Sequence, residues 1–216
     1  MDFAAARRNM VDCQILPNQV GDQRIVDALL KTPREKFVPD HLSRIAYVDE
    51  IVPLGDHRYV MEAMIVARLL QTAALNTDDV ALSIGCGSGY ATAILAQVVD
   101  TVVAVESHKG LAQKASENLA AIGLDNVAVV DGKLEEGNVE QGPYNVIFFD
   151  GAVQTVPETI CDQLTEGGRL VAVVAEKHIG TAYLFSRFGG VISKRKVFDA
   201  GTPLLPGFGK QKAFAF

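Results

Sequence analysis

The stretch Val80-Ala81-Leu82-Ser83-Ile84-Gly85-Cys86-Gly87-Ser88-Gly89-Tyr90 decides how the rest of the chain is read. A short, mostly aliphatic run predicts a buried strand over Val80–Ile84. It passes directly into a turn with glycine at every second position, and a helical pattern over Tyr90–Val98 follows. Glycine accepts backbone angles closed to other residues, and its missing side chain lets another group approach the main chain. Downstream the same rhythm repeats. Apolar runs at Val102–Val105, Val127–Val130, Val146–Phe149 and Leu170–Val174 alternate with helical segments near Lys109–Ile122 and Pro157–Leu164. Short, wholly apolar strands separated by amphipathic helices imply a parallel sheet covered on both faces. The tail differs: Ala182–Phe188, Val191–Phe198 and Ala213–Phe216 read as strands with no long helix between them, hence antiparallel at one sheet edge. The expected fold class is α/β, a doubly wound Rossmann-like sheet with antiparallel C-terminal strands and a helical N-terminal extension.

The glycine pattern restricts the ligand. A dinucleotide fingerprint G-x-G-x-x-G requires a third glycine where Tyr90 stands. The phosphate loop GxxxxGK[ST] is absent, since around Gly209-Lys210 Leu204 stands where the first glycine belongs and Gln211 where the Ser or Thr belongs. A hydrolase elbow G-x-S-x-G fails at Cys86. What remains, G-x-G-x-G after a first strand, is the signature of S-adenosylmethionine. The second strand ends at Glu106, seventeen residues after Gly89, where a carboxylate can accept both hydroxyls of a ribose. Asp131-Gly132-Lys133 ends the third strand and could address an adenine edge. Asp150, at the end of the fourth, would lie near the transferred group.

Upstream of Asn76–Asp79 the pattern is helical. Asp22 precedes a face of Ile25, Val26, Ala28, Leu29 and Leu30, and Met61–Leu75 repeats the theme. Pro33, Pro39, Pro53 and Gly55 between them predict loops and short turns. The expected organisation is a helical extension, residues 1–77, covering a nucleoside-binding domain, residues 78–216, in one compact unit. The 216 residues carry 20 basic and 26 acidic side chains, a net charge of −6. With a pI near 5.2, broad charge-driven nucleic-acid binding is not expected. No apolar run approaches the roughly 20 residues of a membrane span. No secretory pattern is present at the start. The three cysteines, Cys13, Cys86 and Cys161, form no CxxC pair, so a reduced, cytoplasmic, metal-free protein is expected. Oligomeric state is not legible.

Several strings then point to a family. Met10-Val11 with Gln14, Asp22, Pro33-Arg34-Glu35-Lys36-Phe37-Val38-Pro39, Ala46-Tyr47-Val48-Asp49, Pro53-Leu54-Gly55, the glycine loop, Asp131-Gly132 with Gly137, Pro143-Tyr144 and Gly167-Gly168-Arg169-Leu170-Val171 span nearly the whole chain. In these the chain resembles the protein-L-isoaspartate O-methyltransferases, a family of S-adenosylmethionine-dependent enzymes that esterify a carboxylate of damaged protein. The resemblance implies a cofactor site lined by Gly85, Gly87, Glu106, Asp131 and Gly132, with Ser83, Cys86, Ser107 and Lys133 completing the candidate set. It also locates a departure. Where the family carries "GQTIS.P", Tyr59 takes the Thr position, Met61 the Ser position and Ala63 the Pro position, while Ser83 replaces the acid that leads the glycine loop. Arg58, Tyr59 and Asp150 are therefore the candidate catalytic residues. Arg58 or Tyr59 would hold an acceptor carboxylate in place of the missing hydroxyl, and Asp150 or His57 would serve as base for an amine or hydroxyl acceptor. The expected partner is a protein or peptide carboxylate, or a small-molecule acceptor. A non-catalytic S-adenosylmethionine-binding protein and, less favoured by Tyr90 and the antiparallel tail, an NAD-dependent oxidoreductase are the other readings.

Overall fold

The computed structural model describes residues 1–176 and 179–209. The chain opens with α1 (Phe3–Met10), whose first turn is closed by the Asp2 carboxylate accepting from the Ala5 amide at 3.0 Å. Hydrophobic periodicity does not single this helix out, because Met10 alone of its residues is buried. A π turn (Val11–Ile15) leads towards α2 (Gln23–Lys31), capped in the same way by Asp22 and burying Ile25, Val26, Ala28 and Leu29. The expected loop region then contains a small hairpin, β1 (Val52–Gly55) and β2 (Arg58–Val60), paired antiparallel. Its two-residue turn puts Asp56 and His57 at φ 49° and 58°, the left-handed pair that matches strand twist. Neither residue is the usual glycine, which is why the sequence pattern conceals it. After the hairpin comes α3 (Ala63–Thr72), within the expected Met61–Leu75.

The remaining elements are β3 (Val80–Ile84), α4 (Tyr90–Ala96), β4 (Thr101–Glu106), α5 (Lys109–Ala121), β5 (Val127–Asp131), β6 (Tyr144–Val153), α6 (Glu158–Cys161), β7 (Leu164–Glu176), β8 (Ile179–Phe188) and β9 (Val191–Asp199). The last seven strands form one sheet in the order β5-β4-β3-β6-β7-β8-β9. Pairing is parallel from β5 to β7 and antiparallel from β7 to β9. The chain runs outward from β3 to β5, then returns to the other side of β3 with β6. That reversal opens a crevice at the carboxyl ends of β3, β4 and β6. The helix expected over 157–164 is shorter, because β7 begins at Leu164, opposite Tyr144, and shifts register before Arg169 pairs with Val146. The strand expected at Ala213–Phe216 lies outside the described residues.

Alternate strand residues sort to opposite faces. Ala81, Val102, Val146, Phe148 and Val171 join one apolar cluster with Met10, Ile25, Leu29, Ile65 and Leu69 of the N-terminal helices. Leu82, Ile84, Val103, Ile147, Phe149 and Leu170 form the other, with Leu205 and Phe208. The extension therefore packs into the core of the sheet. Arg34, wholly buried, fastens it. Its Nε donates to the Ala46 carbonyl at 2.6 Å and its Nη2 to the Met61 carbonyl at 2.7 Å, with the guanidinium 4.4 Å above the Tyr90 ring.

Candidate active site

The crevice is built on the turn between β3 and α4. Gly85, Gly87 and Gly89 have φ of 77°, 55° and 96°, a conformation closed to residues with a Cβ except at a cost. The Gly85 amide donates to the Val105 carbonyl at 2.8 Å, and the Gly89 amide to the Cys86 carbonyl at 2.8 Å, so the turn is fixed before any ligand arrives. Glu106, the last residue of β4, faces it with no solvent exposure. Its Oε2 accepts from the Gly87 amide at 2.7 Å and its Oε1 from the His108 amide at 3.0 Å. Asp131 sits beside it in register on β5, and the Gly132 amide donates to the Glu106 carbonyl at 3.1 Å.

Arg58 enters this site from the β1–β2 hairpin, 48 residues away in sequence. Its Nη1 lies 2.5 Å from Glu106 Oε1, and its Nη2 donates to the Gly85 carbonyl at 2.7 Å. Both partners are essentially excluded from water, at 3% and 0% side-chain exposure. The hairpin turn is also tied to the start of α5, where His108 Nε2 lies 3.1 Å from the Asp56 carboxylate.

A second wall comes from the segment after β9. The Ala152 amide donates to the Pro203 carbonyl and the Leu205 amide to the Ala152 carbonyl, both at 2.8 Å. This places Leu205, 4% exposed, over the glycine turn. A Cβ added to Gly85 or to Gly151 would meet the Leu205 Cδ2 at 2.7 Å. Between the hairpin and this segment a cavity of about 10 Å³ remains, lined by residues that include His57, Arg58, Tyr59, Met61, Asp150 and Leu205. A larger cavity, about 300 Å³, lies beyond Leu54, between Lys36, Ser88, Lys114 and Asn118.

Asp150 is brought to the crevice at 7% exposure. Burial, chiefly, pushes its carboxyl up to about 7, with Arg58 opposing and Glu106 adding to the rise. The Cys86 thiol, buried in the turn, is raised by the same loss of water and by Glu106 and Asp150. Ser83 points the other way, its hydroxyl 3.0 Å from that of Thr92 in α4. Met61 is a core residue, Tyr59 is half-buried and His57 is exposed. Ser107 and Lys133 are exposed, and the Lys133 ammonium pairs with Glu136 at 2.7 Å. Sequence reasoning missed Leu205 and His108. For Leu205 a signal existed: apolar Leu204, Leu205 and Phe208 inside a glycine- and proline-rich loop need somewhere to be buried. Among the described residues no cluster of metal-ligating side chains occurs, and no helix is long and apolar enough to cross a membrane.

The G-x-G-x-G turn after β3, the acid ending β4 and the antiparallel closure of a doubly wound sheet together define a Rossmann-like methyltransferase fold. Residues 6–199 match the family model for protein-L-isoaspartate(D-aspartate) O-methyltransferase, and the chain belongs to that family. A protein-L-isoaspartate O-methyltransferase of Methanoculleus marisnigri is 39% identical over 79% of this chain and 78% of its own. Another, from Roseiflexus castenholzii, is 34% identical over 96% and 95%. One solved protein-L-isoaspartate O-methyltransferase superimposes with a TM-score of 0.81 at 27% identity, covering 93% of this chain, which in turn spans 66% of that one. A Plasmodium falciparum chain solved with S-adenosyl-L-homocysteine shares the fold at a TM-score of 0.80 and 21% identity, covering 95% and 98%.

Proposed function

We propose that this chain is an S-adenosylmethionine-dependent methyltransferase that esterifies a carboxylate of damaged protein, with the isoaspartyl side chain as the first candidate acceptor. One observation carries the reading: a buried Glu106 ends β4 directly across from the G-x-G-x-G turn, the position from which a carboxylate accepts ribose hydroxyls. S-adenosylmethionine supplies a methyl group already activated as a sulfonium, so the protein's share is alignment and exclusion of water. A carboxylate acceptor, with a pKa of about 4, is ionised at neutral pH and asks for no general base. The three unpaired thiols favour a reducing, cytoplasmic setting.

A second reading rests on Asp150. A carboxyl held up to about 7 beside the crevice suits an acceptor that must give up a proton, an amine or a hydroxyl. Tyr59 and Met61, standing where the family resemblance puts hydroxyl side chains, are compatible with either acceptor.

The framework suits a nucleoside, but the space in front of it, in this conformation, does not admit one. Arg58 holds the Glu106 carboxylate, and Leu205 lies against the glycine turn.

The test is incorporation of labelled methyl from S-adenosylmethionine into isoaspartyl peptides and, in parallel, into whole lysate. Label on the peptide that mild alkali releases as methanol supports the carboxylate reading. Alkali-stable label on lysate, with none on the peptide, moves the acceptor to an amine or a hydroxyl. No incorporation into any fraction overturns both.

A further inference from the structure

The Arg58–Glu106 pair occupies the one group that the cofactor reading needs free. A carboxylate can bond several donors, but those on Glu106 are already the Gly87 amide, the His108 amide and the Arg58 guanidinium. Of these, the two amides belong to the turn itself and to the start of α5. The guanidinium is the only one of the three carried on a separate element, the β1–β2 hairpin.

That element is slight. The hairpin has strands of four and three residues, with a register shift between Pro53 and Gly55. Its tip is exposed at Gly55, Asp56 and His57 and turns through two left-handed non-glycine residues. Left-handed conformation at such positions is tolerated only where the surroundings hold it. Here the outside hold on the tip is the contact between Asp56 and His108, whose side chains are 76% and 45% exposed and so well screened by water. The strands themselves are anchored by Val52 and Val60 in the core, and Arg58 adds a charge-assisted pair with a second bond to the Gly85 carbonyl.

The remaining space reinforces this. A cavity of about 10 Å³ holds at most a single water, whereas sites for ligands of nucleoside size measure roughly 300–1,000 Å³. Arg58 lines that cavity, and its guanidinium covers the Glu106 carboxylate, which has no solvent exposure. Withdrawing Arg58 frees the Glu106 carboxylate, an acceptor for ribose hydroxyls, and relieves the Gly85 carbonyl of its side-chain donor, while Leu205 still lies against the turn.

We infer that Arg58 is a built-in competitor of the cofactor: its guanidinium occupies the ribose position on Glu106, and the adenosyl ligand binds only by expelling it. The inference rests on the S-adenosylmethionine reading above. It makes Arg58 a residue that sets cofactor affinity, and it ties cofactor entry to movement of the β1–β2 hairpin. A ligand that has to displace an internal occupant binds more weakly by the fraction of time the site is open. Removing the occupant therefore strengthens binding instead of weakening it, the reverse of what a cofactor-holding arginine would show.

Calorimetric titration with S-adenosylhomocysteine tests this on the full chain, on Arg58→Ala and on Arg58→Gln, with Glu106→Gln alongside. Arg58→Gln keeps a neutral donor for the Gly85 carbonyl and serves if Arg58→Ala does not fold, which thermal melting reports. The expected result is binding at least tenfold tighter for the Arg58 variants than for the parent, and binding lost in Glu106→Gln. Equal or weaker binding by the folded Arg58 variants, with the parent still binding, overturns the competitor and leaves the cofactor reading intact. Binding by none of the chains overturns the cofactor reading, and the competitor with it.

Discussion

Replacing Asp150 by Asn should make the protein more stable, and increasingly so as pH rises. The carboxyl ends its apolar strand segment at 7% exposure, and burial raises it from 3.8 to about 7 against the partial relief offered by Arg58. In the unfolded chain Asp150 gives up its proton near pH 4, while in the folded chain it keeps it to about 7. Between these limits the native state binds more protons, so stability falls as pH rises, by up to about 1.4 kcal/mol per unit, and levels off above 7. A rise from 3.8 to about 7 corresponds to roughly 4 kcal/mol in all. Asparagine preserves shape and polarity but cannot ionise. The Asn variant should match the parent near pH 4 and exceed it by a few kcal/mol at pH 8. Urea titrations at one-unit steps from pH 4 to 8, compared through midpoint and slope, measure the difference directly. Glu62, also raised by burial, is common to both proteins and cancels. A difference that stays flat across this range, or an Asn variant less stable at pH 8, would refute the assignment of a strained, buried carboxyl at this position.

Two further outcomes follow from packing. Arg34→Met leaves the Ala46 and Met61 carbonyls without their buried donors, and at roughly 1–3 kcal/mol for each unsatisfied group it should cost about 2–6 kcal/mol in denaturant titration; a loss below 1 kcal/mol would deny Arg34 its fastening role. A thiol reagent should label Cys13 rapidly in the native protein and reach Cys86 and Cys161 only on unfolding, since the first is exposed and the others buried; fast native labelling at Cys86 would mean that the glycine turn opens far more readily than its hydrogen bonds imply.

Much of the fold was legible because it rests on patterns local to the chain. Wholly apolar runs between amphipathic stretches mark a two-sided parallel sheet wherever they occur. The Gly85–Gly89 spacing marks a backbone turn for the same reason, and Glu106 and Asp150 follow once strands are laid side by side. What escaped detection is non-local or weakly patterned. α1 buries one residue, the β1–β2 hairpin turns without glycine, and α6 is a single turn cut short by an early β7.

The sheet, the glycine turn, the acid opposite it and the kinship to carboxyl methyltransferases can all be read from consecutive residues or fixed spacings. The sequence also marked the stretch around Arg58 as a departure, with Tyr59, Met61 and Ala63 standing where the family resemblance puts Thr, Ser and Pro. Where the Arg58 guanidinium goes is settled by packing between distant segments. Arg58 and Glu106 are 48 residues apart, and no periodicity couples them. Their pairing depends on how a short hairpin and the Pro203–Leu205 segment close over the sheet, and on the cost of leaving either charge buried alone.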